Sequence, residues 1–240
     1  MNCDEFIENL KENYTFVKLL SNKNESQAIV LEHKKLGAKI VLHRFKERVA
    51  VYDMLKSIDF KNLPTVYDSY NFTNGEIVLE EYIDGITVAD VLESGKYTYH
   101  GTAKVISEIC GTLTVLHANG FVHRDIKPEN IMITNNGTVK LIDFNASRIY
   151  DKNKSSDTIS LGTIGYASPE QLGINQSDAR TNIYALGVLL NVMLTGEHPS
   201  KRLAKSRAGK IVLKCAQINP NKRFFQQNSL NMIYKFSYFF

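Results

Sequence analysis

Apolar residues come in short runs along the N-terminal part of the chain and at helical spacing further on, and the change divides it in two. Residues 28–31, 39–43, 65–67 and 76–79 are β-prone runs, with Gly37 and Asn74-Gly75 as turn signals between them. Between the second and third runs lies ERVAVYDMLKSI (47–58), where Val49, Leu55 and Ile58 recur at helical spacing. A short amphipathic helix is expected near residues 4–12. Together these describe a small, mostly antiparallel α+β unit with a helix set among its strands.

Past Asp84-Gly85 the helical period takes over. Val105, Ile109, Leu113 and Leu116 mark one face of a helix over 102–118, and Asn119-Gly120 supplies its stop. The stretch IMITNNGTVKLIDF reads as a hairpin turning at Asn136-Gly137. TNIYALGVLLNVMLTG (181–196) is apolar nearly all round, so it must be buried on every side, as the axis of a second, helical lobe. The expected organisation is one lobe over 1–83, a second over 84–240, and a ligand-binding cleft between them.

Composition narrows the function classes. With 240 residues, 43% hydrophobic and 22% charged, the chain is of ordinary globular type. A net charge of +4 without a long basic run gives no reason to expect nucleic acid as a partner. No window approaches the ~20 apolar residues of a membrane span, so no membrane partner is expected. The acidic start, MNCDEFIENL, does not read as a leader segment. Cys3, Cys110 and Cys215 are far apart, as expected of reduced thiols in a cytoplasmic protein. The aromatic end, SLNMIYKFSYFF, reads as a last helix docking on the core. Nothing in the pattern favours a particular oligomeric state.

The chemistry concentrates in VHRDIKPENIMI (122–133), a charged loop clamped between apolar residues, where charges must be paired or used. Asp125 and Asn130 lie on this loop, and the hairpin can return Asp143 beside Asn130. An amide and a carboxylate suit Mg²⁺ completed by water and substrate phosphates. Lys127 is a point charge for a transferring phosphoryl group, and Asp125 is the carboxylate left to accept a proton. Phosphoryl transfer requires this set, because its catalysis is mostly positioning and charge neutralisation.

His123-Arg124-Asp125 with Lys127 and Asn130 resembles the catalytic loop of protein kinases, and Asp143-Phe144 resembles the start of their DFG element. GTIGYASPEQ (162–171) is similar to the family's APE segment, in the SPEQ form of bacterial Ser/Thr kinases, and Arg223 stands where an arginine pairs with the glutamate here numbered Glu170. The resemblance runs from about Phe16 to Arg223. It implies a bilobal α+β kinase fold, with a small β-rich lobe containing one helix and a larger, mostly helical lobe. It further implies Asp125 as base, Lys127 facing the γ-phosphate, Thr163 seating a hydroxyl substrate, and Asn130 and Asp143 as Mg²⁺ ligands. For ATP it implies Glu81 and Ile83 at the adenine edge, with Ala28, Val41 and Met132 sandwiching the ring. Leu55, Val66, His123 and Phe144 would stack as an internal spine. The protein partner would carry a Ser/Thr acceptor, and Ser155, Ser156, Thr158 and Ser160, Thr158 first, are candidate regulatory phosphosites facing Arg124.

Five departures from the family pattern stand out. SNKNESQAIV holds no glycine where a Gly-rich loop is expected, which leaves Lys23 as a possible phosphate contact. His43 occupies the place of the phosphate-anchoring lysine, a weaker cation unless an acidic neighbour keeps it charged. Its partner glutamate's place is Val51, with Glu47 one turn earlier, so that ion pair is lost from both ends. Asn145 replaces the DFG glycine and is expected to take positive φ; Asn182 replaces an aspartate that braces the catalytic loop. Two readings follow: a Ser/Thr protein kinase using Mg-ATP, or a pseudokinase acting as a nucleotide-binding or scaffolding module. Small-molecule phosphotransferases share an Asp/Asn/Asp site but not GTIGYASPEQ.

Overall fold

The computed structural model describes residues 2–23, 26–95, 97–150, 163, 165–172 and 177–224. The chain forms two compact units, Met1–Asp84 and Gly85–Phe240. The candidate phosphosites at 155–160 and the aromatic end lie outside the described residues.

Unit 1 runs α1 (Cys3–Leu10), β1 (Tyr14–Lys23), β2 (Ser26–His33), β3 (Lys39–Phe45), α2 (Val51–Leu55), β4 (Val66–Phe72) and β5 (Gly75–Glu81). The strands form one antiparallel sheet in the order β1-β2-β3-β5-β4. Side chains alternate across it. One face carries Leu31, Ile40, Leu42 and Ile77, and α1 covers it with Cys3, Phe6, Ile7 and Leu10. A capping box between Asn2 and Glu5 starts α1, and the Asn74 side chain accepts the Cys3 N–H at 3.1 Å. The turn that closes β4 on β5 thus also fixes the helix. Gly75 is required there: at φ 138°, any Cβ would fall 2.1 Å from the Phe45 carbonyl oxygen.

The opposite face carries Ala28 and Val30 from β2, Val41, His43 and Phe45 from β3, and Glu76, Val78 and Glu80 from β5. Tyr52 of α2 packs its ring against Phe45 and His43. α2 starts later than the 47–58 pattern predicts. The reason is tertiary: the Val49 N–H donates to the Glu76 carboxylate at 2.7 Å, so the backbone before Val51 is tied to β5. Glu47 lies outside the helix and is exposed. β1 and β2 pair as far as Lys23 and Ser26, so the glycine-free stretch extends a hairpin ladder.

Unit 2 runs β6 (Gly85–Thr87), α3 (Val88–Glu93), α4 (Tyr99–Ala118), β7 (Phe121–Val122), β8 (Ile131–Thr134), β9 (Val139–Leu141), β10 (Arg148–Ile149), α5 (Ala179–Thr195) and α6 (Ser206–Cys215). β6-β8-β9 form one small antiparallel sheet and β7-β10 another. The β8–β9 hairpin turns at Gly137, φ 78°. α5 is the core of the unit, buried on all sides from Thr181 to Thr195 except at Tyr184, Val192 and Leu194. It stops at Gly196 in the left-handed conformation. α6 approaches it so closely that a Cβ at Gly187 would fall 2.3 Å from that of Cys215.

Candidate active site

The catalytic-loop residues sit between β7 and β8, where two short sheets hold both ends of an irregular segment. His123 is fully buried. Its Nε2 donates to the Ile142 carbonyl at 3.2 Å and its Nδ1 accepts the Asp125 N–H at 3.3 Å, which defines a neutral tautomer. Burial pushes its pKa down, against the pull of Asp125 and Asp143, in keeping with that tautomer. Its ring meets Phe144 edge-on at 5.0 Å.

Arg124 adopts φ 72°, a strained conformation for a long side chain. Both of its backbone groups are held. The N–H donates to Asn182 Oδ1 at 3.0 Å, and the carbonyl accepts from Gln171 Nε2 at 2.8 Å. Asn182 in turn donates from Nδ2 to His117 Nε2 at 2.8 Å; burial lowers the His117 pKa to about 4, so this imidazole is a neutral acceptor. The brace expected from an aspartate is here an amide–imidazole pair. Gln171 was not foreseen as a second clamp; its only signal is its place in the SPEQ run.

These clamps aim Asp125 into a closed set of polar contacts. Thr163 Oγ1 donates to Oδ1 at 2.8 Å, Lys127 Nζ lies 2.7 Å from Oδ2, and Asn130 Nδ2 donates to Oδ2 at 2.9 Å. Lys127 also donates to Thr163 Oγ1 at 2.8 Å, and Asn130 Nδ2 to the Asp125 carbonyl at 2.8 Å. Burial alone would raise the Asp125 pKa, but hydrogen bonds from Lys127 and Thr163, with the lysine charge, hold it below the usual carboxylate value. The group is therefore anionic at neutral pH. A carboxylate has about four acceptor positions; three donors engage Asp125, which leaves room for a hydroxyl.

Asn130 commits its NH₂ to Asp125, so Oδ1 is what it offers a cation. The Ile142 N–H donates to the Asn130 carbonyl at 2.9 Å, bringing Asp143 next in line. An amide oxygen and a carboxylate are hard donors that fit Mg²⁺. Asp143 itself takes φ 62°, whereas Asn145 does not have positive φ. The expected left-handed residue is thus two positions earlier, on an aspartate, one of the residue types that tolerate it best. Met132 lies on β8 opposite Lys140 and Thr87.

The nucleotide candidates of unit 1 share one neighbourhood on the sheet. Ala28 pairs with His43 across β2–β3, Val41 with Glu80 across β3–β5, and Ala28 and Val41 are buried. Glu81 ends β5; its N–H donates to the Thr65 carbonyl at 2.9 Å and its carboxylate accepts the Thr65 N–H at 3.0 Å. Ile83, just beyond, is buried. An acidic neighbour of His43 is Glu80, with Nε2 and Oε1 3.4 Å apart. No reading of the sequence singled out Glu80; the strand register alone reveals it.

The Glu170–Arg223 pair is fully formed, at 2.5 and 2.8 Å, with Thr181 Oγ1 donating to Glu170 at 3.0 Å and the Tyr184 ring against the guanidinium.

The fold and these motifs define the protein kinase class, and comparison with known proteins agrees: the protein kinase domain family matches residues 14–236. The chain belongs to this family. Its relatives include the serine/threonine-protein kinase PknB of Mycobacterium tuberculosis, 40% identical over 126 residues, covering 51% of this chain and 20% of that protein. PknL of the same organism is 34% identical over 172 residues, covering 71% and 42%. PknB of Mycolicibacterium smegmatis is 36% identical over 155 residues, covering 63% and 23%. The chain spans between one fifth and about two fifths of the length of these relatives.

Proposed function

We propose that the chain is a Ser/Thr protein kinase that transfers the γ-phosphoryl group of ATP to a protein hydroxyl. The observation that carries this reading is the Asp125 carboxylate, held anionic by Thr163, Lys127 and Asn130 with acceptor capacity to spare. Asp125 takes the proton of the acceptor hydroxyl as its oxygen bonds to phosphorus and the bond to the ADP leaving group breaks. Lys127, bridging Asp125 and Thr163, offsets negative charge on the transferring group. Thr163 orients the carboxylate for the incoming hydroxyl. Asn130 and Asp143 would hold Mg²⁺, which supplies charge neutralisation on the phosphate oxygens.

Ala28 and Val41 supply apolar surface for adenine, Glu81 and Ile83 its polar edge, and His43 a cation for the phosphates. The names of PknB and PknL support serine or threonine as the acceptor. Cys3, Cys110 and Cys215 are buried and form no disulfide among the described residues, which supports a cytoplasmic setting. Among those residues no helix is long and apolar enough to cross a membrane. A complete set of contacts around Asp125 speaks against a catalytically silent scaffold. Incubation with Mg-ATP and a basic protein substrate tests the reading: phosphate should appear on Ser or Thr with wild type. Labelling equal to that of Asp125→Asn would refute it.

A further inference from the structure

We propose that Glu80 is a positioning residue for nucleotide binding: it holds His43 as an oriented imidazolium, so that His43 grips the phosphates as a pH-dependent cation. The proposal rests on the phosphotransfer reading and adds to it a residue and a regulation.

The register of the sheet makes the pair. Val41 lies opposite Glu80 and His43 opposite Val78, so Glu80 is the diagonal neighbour of His43 on the same face. Nε2 and Oε1 are 3.4 Å apart, and the side chains are 12% and 5% exposed, so water screens the interaction little. The other oxygen, Oε2, is buried with no hydrogen-bond partner among the described residues. A carboxylate so placed is costly unless a counter-charge faces it.

The surroundings leave that task to His43. Phe45 stacks parallel to its ring at 5.8 Å, Tyr52 of α2 lies 6.1 Å away, and Ala28 is opposite on β2. Glu76, further along β5 on the same face, engages the Val49 N–H. Arg44 projects to the other face and pairs with Asp4 at 2.8 Å. Lys39 turns to Glu32 and the Tyr82 ring. Lys23, two strands away at the end of β1, is exposed. Glu80, in contact, and Glu76 beyond it are the carboxylates facing the imidazole from β5, and an opposite charge in contact favours the protonated form against the opposing effect of burial. With Nε2 directed at Glu80, the donor that protonation adds is Nδ1–H.

The sign follows. A histidine whose pKa is raised by a carboxylate is cationic below that value and neutral above it, so nucleotide affinity is full at lower pH and falls as pH rises through it. The test is titration calorimetry of Mg-ADP with the 240-residue chain between about pH 6.5 and about pH 9, together with NMR titration of the His43 ring. Wild type should lose about tenfold in affinity across that window. Glu80→Gln should bind about as weakly at the low end as wild type does at the high end, with the His43 titration point lowered by about one unit or more. His43→Lys should bind tightly with a much flatter profile, correcting for the titration of ADP itself. Wild-type binding parallel to that of His43→Lys, or a Glu80→Gln variant indistinguishable from wild type, would overturn the proposal and leave phosphotransfer standing. Absence of Mg-ADP binding by wild type at every pH would overturn both.

Discussion

Around Asp125, side chains from two separate stretches of unit 2, Lys127 and Asn130 from its own loop and Thr163 from further along the chain, converge on one carboxylate; beside His43 lie the Glu80 carboxylate and the Phe45 and Tyr52 rings. The first arrangement is redundant: Thr163, Lys127 and Asn130 each contact Asp125, and Asn182 and Gln171 clamp the residue before it. The second is a pair made between neighbouring strands. In unit 1 the backbone just before α2 is tied to Glu76 through the Val49 N–H. A pair made across adjacent strands needs no helix to reach it, so His43 can be held even though Val51 is apolar. On the proposed reading, redundancy protects the chemical step, while the phosphate grip depends on the His43–Glu80 pair.

The largest effect should come at the centre of the redundant set. Asp125→Asn keeps the size of the side chain but removes the base, and phosphotransfer should fall by about 10²–10⁴-fold with little change in thermal midpoint. A loss under tenfold would mean that Asp125 does not take the proton. Next is the buried ion pair: Arg223→Ala strands Glu170 and should cost about 3–5 kcal/mol, read by denaturant unfolding. The pH dependence has a definite sign. Burial alone would raise the Glu170 pKa, but the bonds from Arg223 and Thr181 hold it below 4.5. Its stabilisation is present above the unfolded value and is lost as pH falls through the folded one. Glu170→Gln should therefore show a shallower loss of stability on acidification than wild type.

Smaller changes sharpen the contrast between the halves. Gln171→Ala frees the Arg124 carbonyl and should cost about 1–3 kcal/mol with a drop in kcat and an unchanged nucleotide KM. An equal change in both would mean that the clamp also serves the nucleotide. Asn182→Asp should affect activity least. It places a carboxylate against His117, whose pKa should climb from about 4 by about 1–3 units on NMR titration.

Much of unit 2 was legible because its signals are local. Asn136-Gly137 marks a hairpin wherever it occurs between apolar runs, and the 181–196 helix announces its burial by being apolar on every face. The catalytic loop was legible because Asp125, Lys127 and Asn130 are crowded into six residues. Unit 1 was harder. The length of β1, the late start of α2 and the Glu80 partner of His43 all depend on residues distant in sequence. The left-handed backbone at Asp143 rather than Asn145 belongs with them, since intrinsic preference favoured the asparagine.

The sequence by itself determined the alternation of elements, the family resemblance and the polar groups gathered near Asp125, since periodicity, turn chemistry and short spacings are properties of neighbouring residues. Only the tertiary structure decided which carboxylate faces His43, what holds Arg124 in its strained conformation and where α2 begins. The physical reason is the same in each case. A strand register, a buried hydrogen bond and a desolvated charge pair take their energy from contacts between distant parts of the chain, and a linear pattern carries no term for them.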